Sequence, residues 1–238
     1  MAVLTIDKCR GQSGWPEYNR TMTEFRFDSD AAAPAWPGVQ QRLVSLFARS
    51  AAMGVLTGPP IVRLDAAAVR RLVKSLRHHR LLATAPADFA PLMHAEADTL
   101  DAKAALGMEA ALEHAAQVLE HSPTPAAEWP AMRAVLGDDT LAGLVGTSLS
   151  SLRRYAAGER ETPQPVAERL HWLALVVGDL AGAYNEFGIR RWFDRPRTQL
   201  GGHSPRRLLG SDWQLDGEPV RRIRALATTL SGAQGLAA

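Results

Sequence analysis

The sequence predicts an all-α fold, and two observations carry that prediction. Alanine and leucine are abundant, whereas the Val/Ile/Thr alternation that is typical of half-buried strands is rare. Apolar residues instead recur every three or four positions along several segments of the 238-residue chain. We therefore expect helices packed on helices, arranged as a helical N-terminal region, a hairpin of two short helices and a small helical C-terminal domain.

The first half of the chain predicts an arm followed by helices. Residues 1–38 mix Gly, Pro, Asp and isolated aromatics, which indicates an extended arm and a Pro-rich linker. Residues 39–121 are predicted to be a helical region of unknown role, because apolar residues recur there at helical spacing. Asp65 is the expected N-cap of its second helix, and DFAPLMHAEADTL at 88–100 is expected to form its third.

Residues 130–186 are predicted to form the next region, after the linker SPTPAAEWP at 122–130. Pro130 is expected to open a short helix, because its missing N–H costs nothing at a first helical position. The hairpin follows, and then a long helix in which apolar residues from Val166 to Tyr184 cover an unusually wide face. That helix is expected to pack on both neighbouring units or on a second subunit.

The stretch DDTLAGLVGTSLSSLRRYAAGER at 138–160 predicts two short helices joined by a tight turn. Ala142 is small enough for close helix contact, and Gly146 occupies the turn, where a positive φ is often required. Asp139 or Thr140 is expected to cap the first helix and Ser148 or Ser150 the second. Gly158 is expected to end the second helix. The positions expected to face inward are Leu141, Val145, Leu152 and Tyr155.

The outward face of the second helix is a candidate DNA-binding surface. No acidic residue lies between Ser148 and Ala157, so this face is locally positive. Short hydroxyls near a helix N-terminus and arginine forks suit phosphates and base edges. The alternative is a small helical hairpin whose arginines are merely solvated. The candidate DNA contacts are Ser148, Ser150, Ser151, Arg153 and Arg154.

The C-terminal block, residues 188–226, predicts short helices separated by turns. Gly201 and Gly202 form a turn, and Ser204 is expected to cap a helix that begins at Pro205. LDGEP is a second turn, before a last helix. Trp192, Phe193 and Trp213 occur near arginines, a combination that suits a partner-binding surface. The alternative is that these aromatics form the core of a small helical domain.

Two motifs resemble parts of one protein family. LVGTSLSSLRRYAAGER, at 144–160, resembles the Xre-type helix-turn-helix, with its Ser/Thr-rich opening and Arg-aromatic close. WFDRPRTQLGGHSPRRLL, at 192–209, resembles the toxin-binding domain of Xre/MbcA/ParS antitoxins. The motifs follow the family's order. Leu149 stands where many members carry a polar base-reading residue, and residues 1–120 lie outside the resemblance as an N-terminal extension.

The resemblance implies an antitoxin of a type II toxin–antitoxin module. Such a protein neutralises a cognate toxin by direct binding, binds operator DNA, represses its own operon and forms a homodimer or higher oligomer. The partner that the resemblance implies is a RES-domain toxin that degrades NAD, or else a PIN-domain ribonuclease. The same resemblance places a toxin-binding helical domain at residues 187–232. The implied partner-binding residues are Arg191, Trp192, Phe193, Arg195, Leu200, Gly201, Gly202, Leu208 and Leu209.

Charge and cysteine content narrow the class of protein. The formal net charge is only +2, so an argument for nucleic acid needs a local patch. Every basic residue after Lys103 is an arginine, the side chain that suits phosphates and guanine edges. The single cysteine, Cys9, excludes an intrachain disulfide and fits a reducing compartment. With no convincing secretory signal, and no apolar stretch longer than 170–178, we expect a cytoplasmic protein that does not enter membranes.

The sequence lacks several motifs that are typical of metal sites, hydrolases and nucleotide-binding enzymes. The histidines lack the spacing of a zinc site, and no GxSxG elbow, GxGxxG or P-loop pattern occurs. We therefore expect no enzymatic activity, no metal and no cofactor. Two alternatives to the antitoxin stay open. One is a stand-alone helix-turn-helix regulator whose residues 39–121 sense a ligand or partner, and the other is a helical adaptor without a DNA role.

Overall fold

The computed structural model describes residues 37–59, 61, 66–82, 102–181 and 183–230, and these residues form an all-α fold, as predicted. They contain ten α-helices, one 3-10 turn and no strand. The predicted arm up to residue 36, the Asp65 cap and the helix at 88–100 lie outside the described residues. The helices are α1 (Pro37–Ala52), α2 (Ala66–His78), α3 (Ala102–His121), α4 (Pro125–Leu136), α5 (Asp138–Val145), α6 (Leu149–Ala156), α7 (Gln164–Ala181), α8 (Glu186–Asp194), α9 (Pro205–Leu209) and α10 (Glu218–Leu230).

Helix α7 is the central element of the fold. Every residue from 170 to 180 is buried, because the wide apolar face that the sequence shows is covered on several sides. Its neighbours are α1, α4, α5, α8 and α10, so the prediction that it packs on the units before and after it is confirmed. Gly178 permits a close approach of α1, since a Cβ there would lie 3.2 Å from Arg49 Cα.

A ring of ion pairs joins the N-terminal helices to the last helix. Arg49 on α1 and Arg224 on α10 each contact both Glu120 on α3 and Asp179 on α7, at distances between 2.9 and 3.2 Å. Asp179 is almost fully buried, and Thr228 donates a further hydrogen bond to it. The described part of residues 39–121 therefore shares one hydrophobic core with the hairpin and the C-terminal helices.

Of the segment expected to be a linker, 122–130, only residues 122–124 lie outside helices, so that prediction is wrong for residues 125–130. Helix α4 begins at Pro125, and Pro130 lies inside it rather than at its start. Pro130 is exposed, while Trp129 and Met132 beside it are buried in the core. Burial of those two large side chains outweighs the single backbone hydrogen bond that the proline cannot make.

None of the helices within the described ranges is long and apolar enough to cross a membrane.

Candidate nucleic-acid interface

The two helices α5 and α6 form the hairpin that the sequence predicts. Gly146 joins them in the left-handed conformation, with φ 71° and ψ 41°. The backbone N–H groups of Gly146 and Thr147 both donate to the Ala142 carbonyl, which closes the end of α5. The residues expected to face inward are buried, as predicted: Leu141, Val145, Leu152 and Tyr155. Ala142, expected at the helix contact, is buried as well.

The caps of the hairpin are partly as predicted. Ser148 is the N-cap of α6, and its hydroxyl accepts from the Ser151 N–H at 3.1 Å. Gly158, with φ 70°, follows the end of α6 as expected. The prediction for α5 is wrong: the helix begins at Asp138, its N-cap is Gly137, and no side chain caps it. Asp138, the first residue of α5, accepts a hydrogen bond from Arg133 of the preceding helix.

The outward face of α6 carries two arginines on its second turn and small or apolar groups on its first. Leu149, Ser150, Arg153 and Arg154 are all exposed, at the spacing that puts them on one side of the helix. Ser151 is half-buried, so it lies at the edge of this face. The five predicted DNA contacts thus lie together at α6, but they differ in what else they contact.

The three serines are bonded to one another. The Ser148 hydroxyl lies 3.1 Å from the Ser150 hydroxyl and 3.0 Å from the Ser151 hydroxyl. Together with the cap bond to the Ser151 N–H, these contacts occupy Ser148 within α6. Ser148 therefore stabilises the start of α6; Ser148 and Ser150 are both exposed, and Ser151 is half-buried.

The two arginines of α6 are not electrostatically equivalent. Asp138 accepts from Arg133 at 2.8 and 3.1 Å, and Arg153 Nε lies 3.6 Å from the same carboxylate. The hydrogen bond from Arg133, with a smaller contribution from Arg153, lowers the pKa of Asp138, so this carboxylate is charged at neutral pH. Arg154 is exposed and makes no ion pair with the residues that the structure describes. The sequence pattern does not reveal this difference, because Asp138 and Arg153 belong to different helices.

The turn of the hairpin is packed against the loop between α9 and α10. A Cβ at Gly146 would collide with the Ser211 carbonyl oxygen, so only glycine fits this close approach. Arg169 of α7 contacts Asp212 at 3.1 Å, and its guanidinium lies over the Trp213 ring. Trp213 Nε1 donates to the Leu144 carbonyl at 2.6 Å. The C-terminal block therefore supports the end of α5 directly.

The predicted partner-binding residues divide into core and surface. Trp192, Phe193, Leu200 and Leu209 are buried among the chain's own helices, which is a correction to their expected role as direct contacts. They are large and apolar, and the short helices α8 to α10 have few other groups with which to form a core. Leu208 is half-buried. The residues that remain exposed are Arg191, Arg195, Gly201 and Gly202.

An exposed aromatic that the sequence reading did not single out lies beside this surface. Phe187, in the first turn of α8, is 65% exposed, and the Arg191 guanidinium lies 5.7 Å from the centre of its ring. The sequence contains a signal for this exposure. Phe187 lies five and six positions before Trp192 and Phe193, a spacing that puts it on the opposite side of α8 from these two buried residues.

An open cleft of about 740 Å³ lies between the end of α3, the start of α4, the loop after α6 and the middle of α7. His171 is in its wall, and its two ring nitrogens contact Glu128 Oε1 at 2.6 Å and the Glu120 carbonyl at 3.1 Å. Burial disfavours the imidazolium, but the hydrogen bond and charge of Glu128 outweigh it, so the pKa of His171 is raised. No cluster of three metal-ligating side chains occurs within the described ranges.

No protein-family model, curated protein or solved structure matches this chain.

Proposed function

We propose that this protein is the DNA-binding antitoxin of a type II toxin–antitoxin module. It acts in the cytoplasm without catalysing a reaction: it represses its own operon through α5 and α6, and it neutralises a cognate protein toxin by direct binding. The observation that supports this best is the α5–α6 hairpin, whose inner face is buried and whose second helix presents Arg153 and Arg154 to solvent.

The DNA-binding step follows from the outward face of α6. A short helix of this size fits the major groove, and its first turn then lies nearest the base edges. Arg154 is available to a phosphate without losing an internal partner among the described residues, whereas Arg153 has to leave Asp138. Both arginines would then position the hairpin through the DNA backbone.

The DNA-binding step is tested by measuring affinity against salt concentration. Arg153→Ala with Arg154→Ala removes two phosphate contacts, so the slope of log K against log salt should fall by about two. The matched control is Arg70→Ala with Arg77→Ala, which removes two exposed arginines from α2 and the same charge. If both double variants change the slope equally, only the overall charge matters, and the hairpin is not the DNA-binding element.

The toxin-binding step rests on the resemblance of residues 192–209 and on the surface beside it. The exposed groups there are Phe187, Arg191 and Arg195 on and after α8, together with the turn at Gly201 and Gly202. Exposed aromatic and arginine side chains are enriched at protein interfaces. A RES-domain enzyme that degrades NAD or a PIN-domain ribonuclease is the proposed partner.

The toxin-binding step is tested by co-expressing the chain with the product of the adjacent gene. We expect a stable complex in size-exclusion chromatography and rescue of growth from an otherwise lethal neighbour. Phe187→Ala with Arg191→Ala should weaken the complex, whereas Arg70→Ala with Arg77→Ala, which removes two exposed side chains outside residues 187–232, should not. A neighbour that is neither toxic nor bound would contradict the antitoxin proposal and leave DNA binding untouched.

A stand-alone regulator is the second candidate, and the cleft beside α7 favours it. Its volume is within the range of small-molecule sites, and Glu120 and His121 from the N-terminal region contribute to its wall. In that case a small molecule bound in the cleft, rather than a toxin, would control the affinity of the α5–α6 hairpin for DNA. Operator binding without a toxic neighbour would favour this candidate.

A further inference from the structure

The outward face of α6 contains one large apolar side chain, Leu149, at its first residue. Leu149 is 36% exposed, and within the described residues only Phe187 and Leu215 are comparable large hydrophobic groups at the surface. It lies on the same side of α6 as Arg153, four residues later, which is about 6 Å farther along the helix axis. The apolar group therefore precedes the cationic groups on one continuous face.

The polar groups around Leu149 are already engaged. The Ser148 hydroxyl accepts from the Ser151 N–H and lies within hydrogen-bonding distance of the Ser150 and Ser151 hydroxyls. These hydrogen bonds make the serines less available to base edges. The exposed apolar group on the same turn is the side chain of Leu149. An apolar group on the ligand would match the exposed side chain of Leu149 on this turn.

In the major groove of DNA, the apolar group of a base edge is the C5-methyl of thymine. The arginines one turn later and the lack of acidic residues between Ser148 and Ala157 match the negatively charged phosphate backbone next to that base. We infer that Leu149 is a specificity-determining residue that contacts a thymine methyl, so that the operator carries thymine where the first turn of α6 enters the groove. This inference rests on the proposed DNA binding by α6 and adds to it what the helix reads.

The test starts from DNA that the full-length protein selects from a random duplex library. Each thymine of the selected duplex is replaced in turn by deoxyuridine, which removes only the C5-methyl and keeps the base pair. At one or two positions we expect the wild-type protein to bind the uracil duplex about fourfold more weakly, as one buried methyl-sized group predicts. In Leu149→Ala the ratio at those positions should fall towards one, because the substitution removes Cγ and both Cδ methyls, the apolar atoms that reach farthest from the helix.

Two further variants make the result specific to this side chain. Leu149→Met keeps an apolar group at the same place and should retain most of the ratio. Leu215→Ala removes a leucine that is exposed to almost the same extent, at 37%, and should leave the ratio unchanged. Circular dichroism of all variants checks that the fold is intact, which is expected because both leucines are at the surface.

The possible outcomes separate the inference from the function on which it rests. If the protein selects no DNA sequence, the proposed operator recognition and this inference both fail. If it selects DNA but no uracil substitution weakens binding, or if the loss persists in Leu149→Ala, only the inference is wrong. Self-association that Leu149→Ala abolishes without changing the thymine-to-uracil ratio would assign Leu149 to a contact between copies instead.

Discussion

Substituting Gly146 by alanine should destabilise the protein more than the same substitution at Gly158. Both glycines have φ near +70°, so both variants place a Cβ in the left-handed region, at a cost of about 1–2 kcal/mol. They differ in their surroundings, since a Cβ at Gly158 has nothing within 4 Å and one at Gly146 collides with the Ser211 carbonyl. Because the effect on the unfolded chain is the same for both, it cancels in the comparison.

The extra cost at Gly146 can be worked out from the loop that has to move. Displacing Ser211 disturbs the hydrogen bond from Trp213 to the Leu144 carbonyl, which contributes about 0.5–1.5 kcal/mol. It also disturbs the contact of Arg169 with Asp212, which contributes no more than about 1 kcal/mol because Asp212 is exposed. We therefore expect Gly146→Ala to lose about 1–2 kcal/mol more than Gly158→Ala.

Urea denaturation followed by circular dichroism gives the free energy of unfolding of both variants. A larger loss for Gly146→Ala is the expected result, and DNA affinity should fall with it because the turn orients α6. Equal losses in the two variants would refute the reasoning, since they would mean that the turn does not pack on the C-terminal loop.

Four other substitutions test the ion pairs. Asp179→Asn removes the buried carboxylate that both arginines of the ring contact, and leaves them only the half-exposed Glu120, so it should cost about 3–5 kcal/mol of unfolding free energy. Glu186→Gln, in an exposed pair, should cost less than about 1 kcal/mol, and similar losses in the two variants would contradict this reasoning. The pKa of His171 is higher in the folded protein than in the unfolded chain, so protonation of His171 stabilises the fold. This stabilisation is complete below the unfolded pKa of about 6.5 and is lost as pH rises through the folded pKa. The free energy of unfolding should therefore decline over that window in the wild type and decline less in His171→Gln, and identical denaturation profiles would contradict this. Asp138→Asn releases Arg153 and should tighten DNA binding by up to about fivefold at low salt, and weaker binding would indicate that Asp138 orients the arginine instead.

Local patterns in the sequence were sufficient for the hairpin and its turns. Helical periodicity, the glycine at the turn and the serine cap each act within about four residues, so the boundaries of α6 could be predicted from its own segment. The caps of the C-terminal block followed in the same way, with Ser204 before Pro205. Pro130 was misjudged because the burial of its neighbours, which keeps it inside a helix, depends on other helices.

The sequence by itself determined the all-α fold, the position of the α5–α6 hairpin and the cationic face of α6, because these depend on spacing along a single helix. Tertiary structure alone decided that Trp192 and Phe193 are core residues, that Asp138 holds Arg153, and that α1 is tied to α7. The physical reason is the distance along the chain. Trp213 and Leu144 are 69 residues apart and Arg49 and Asp179 are 130 apart, so no local pattern records that they meet.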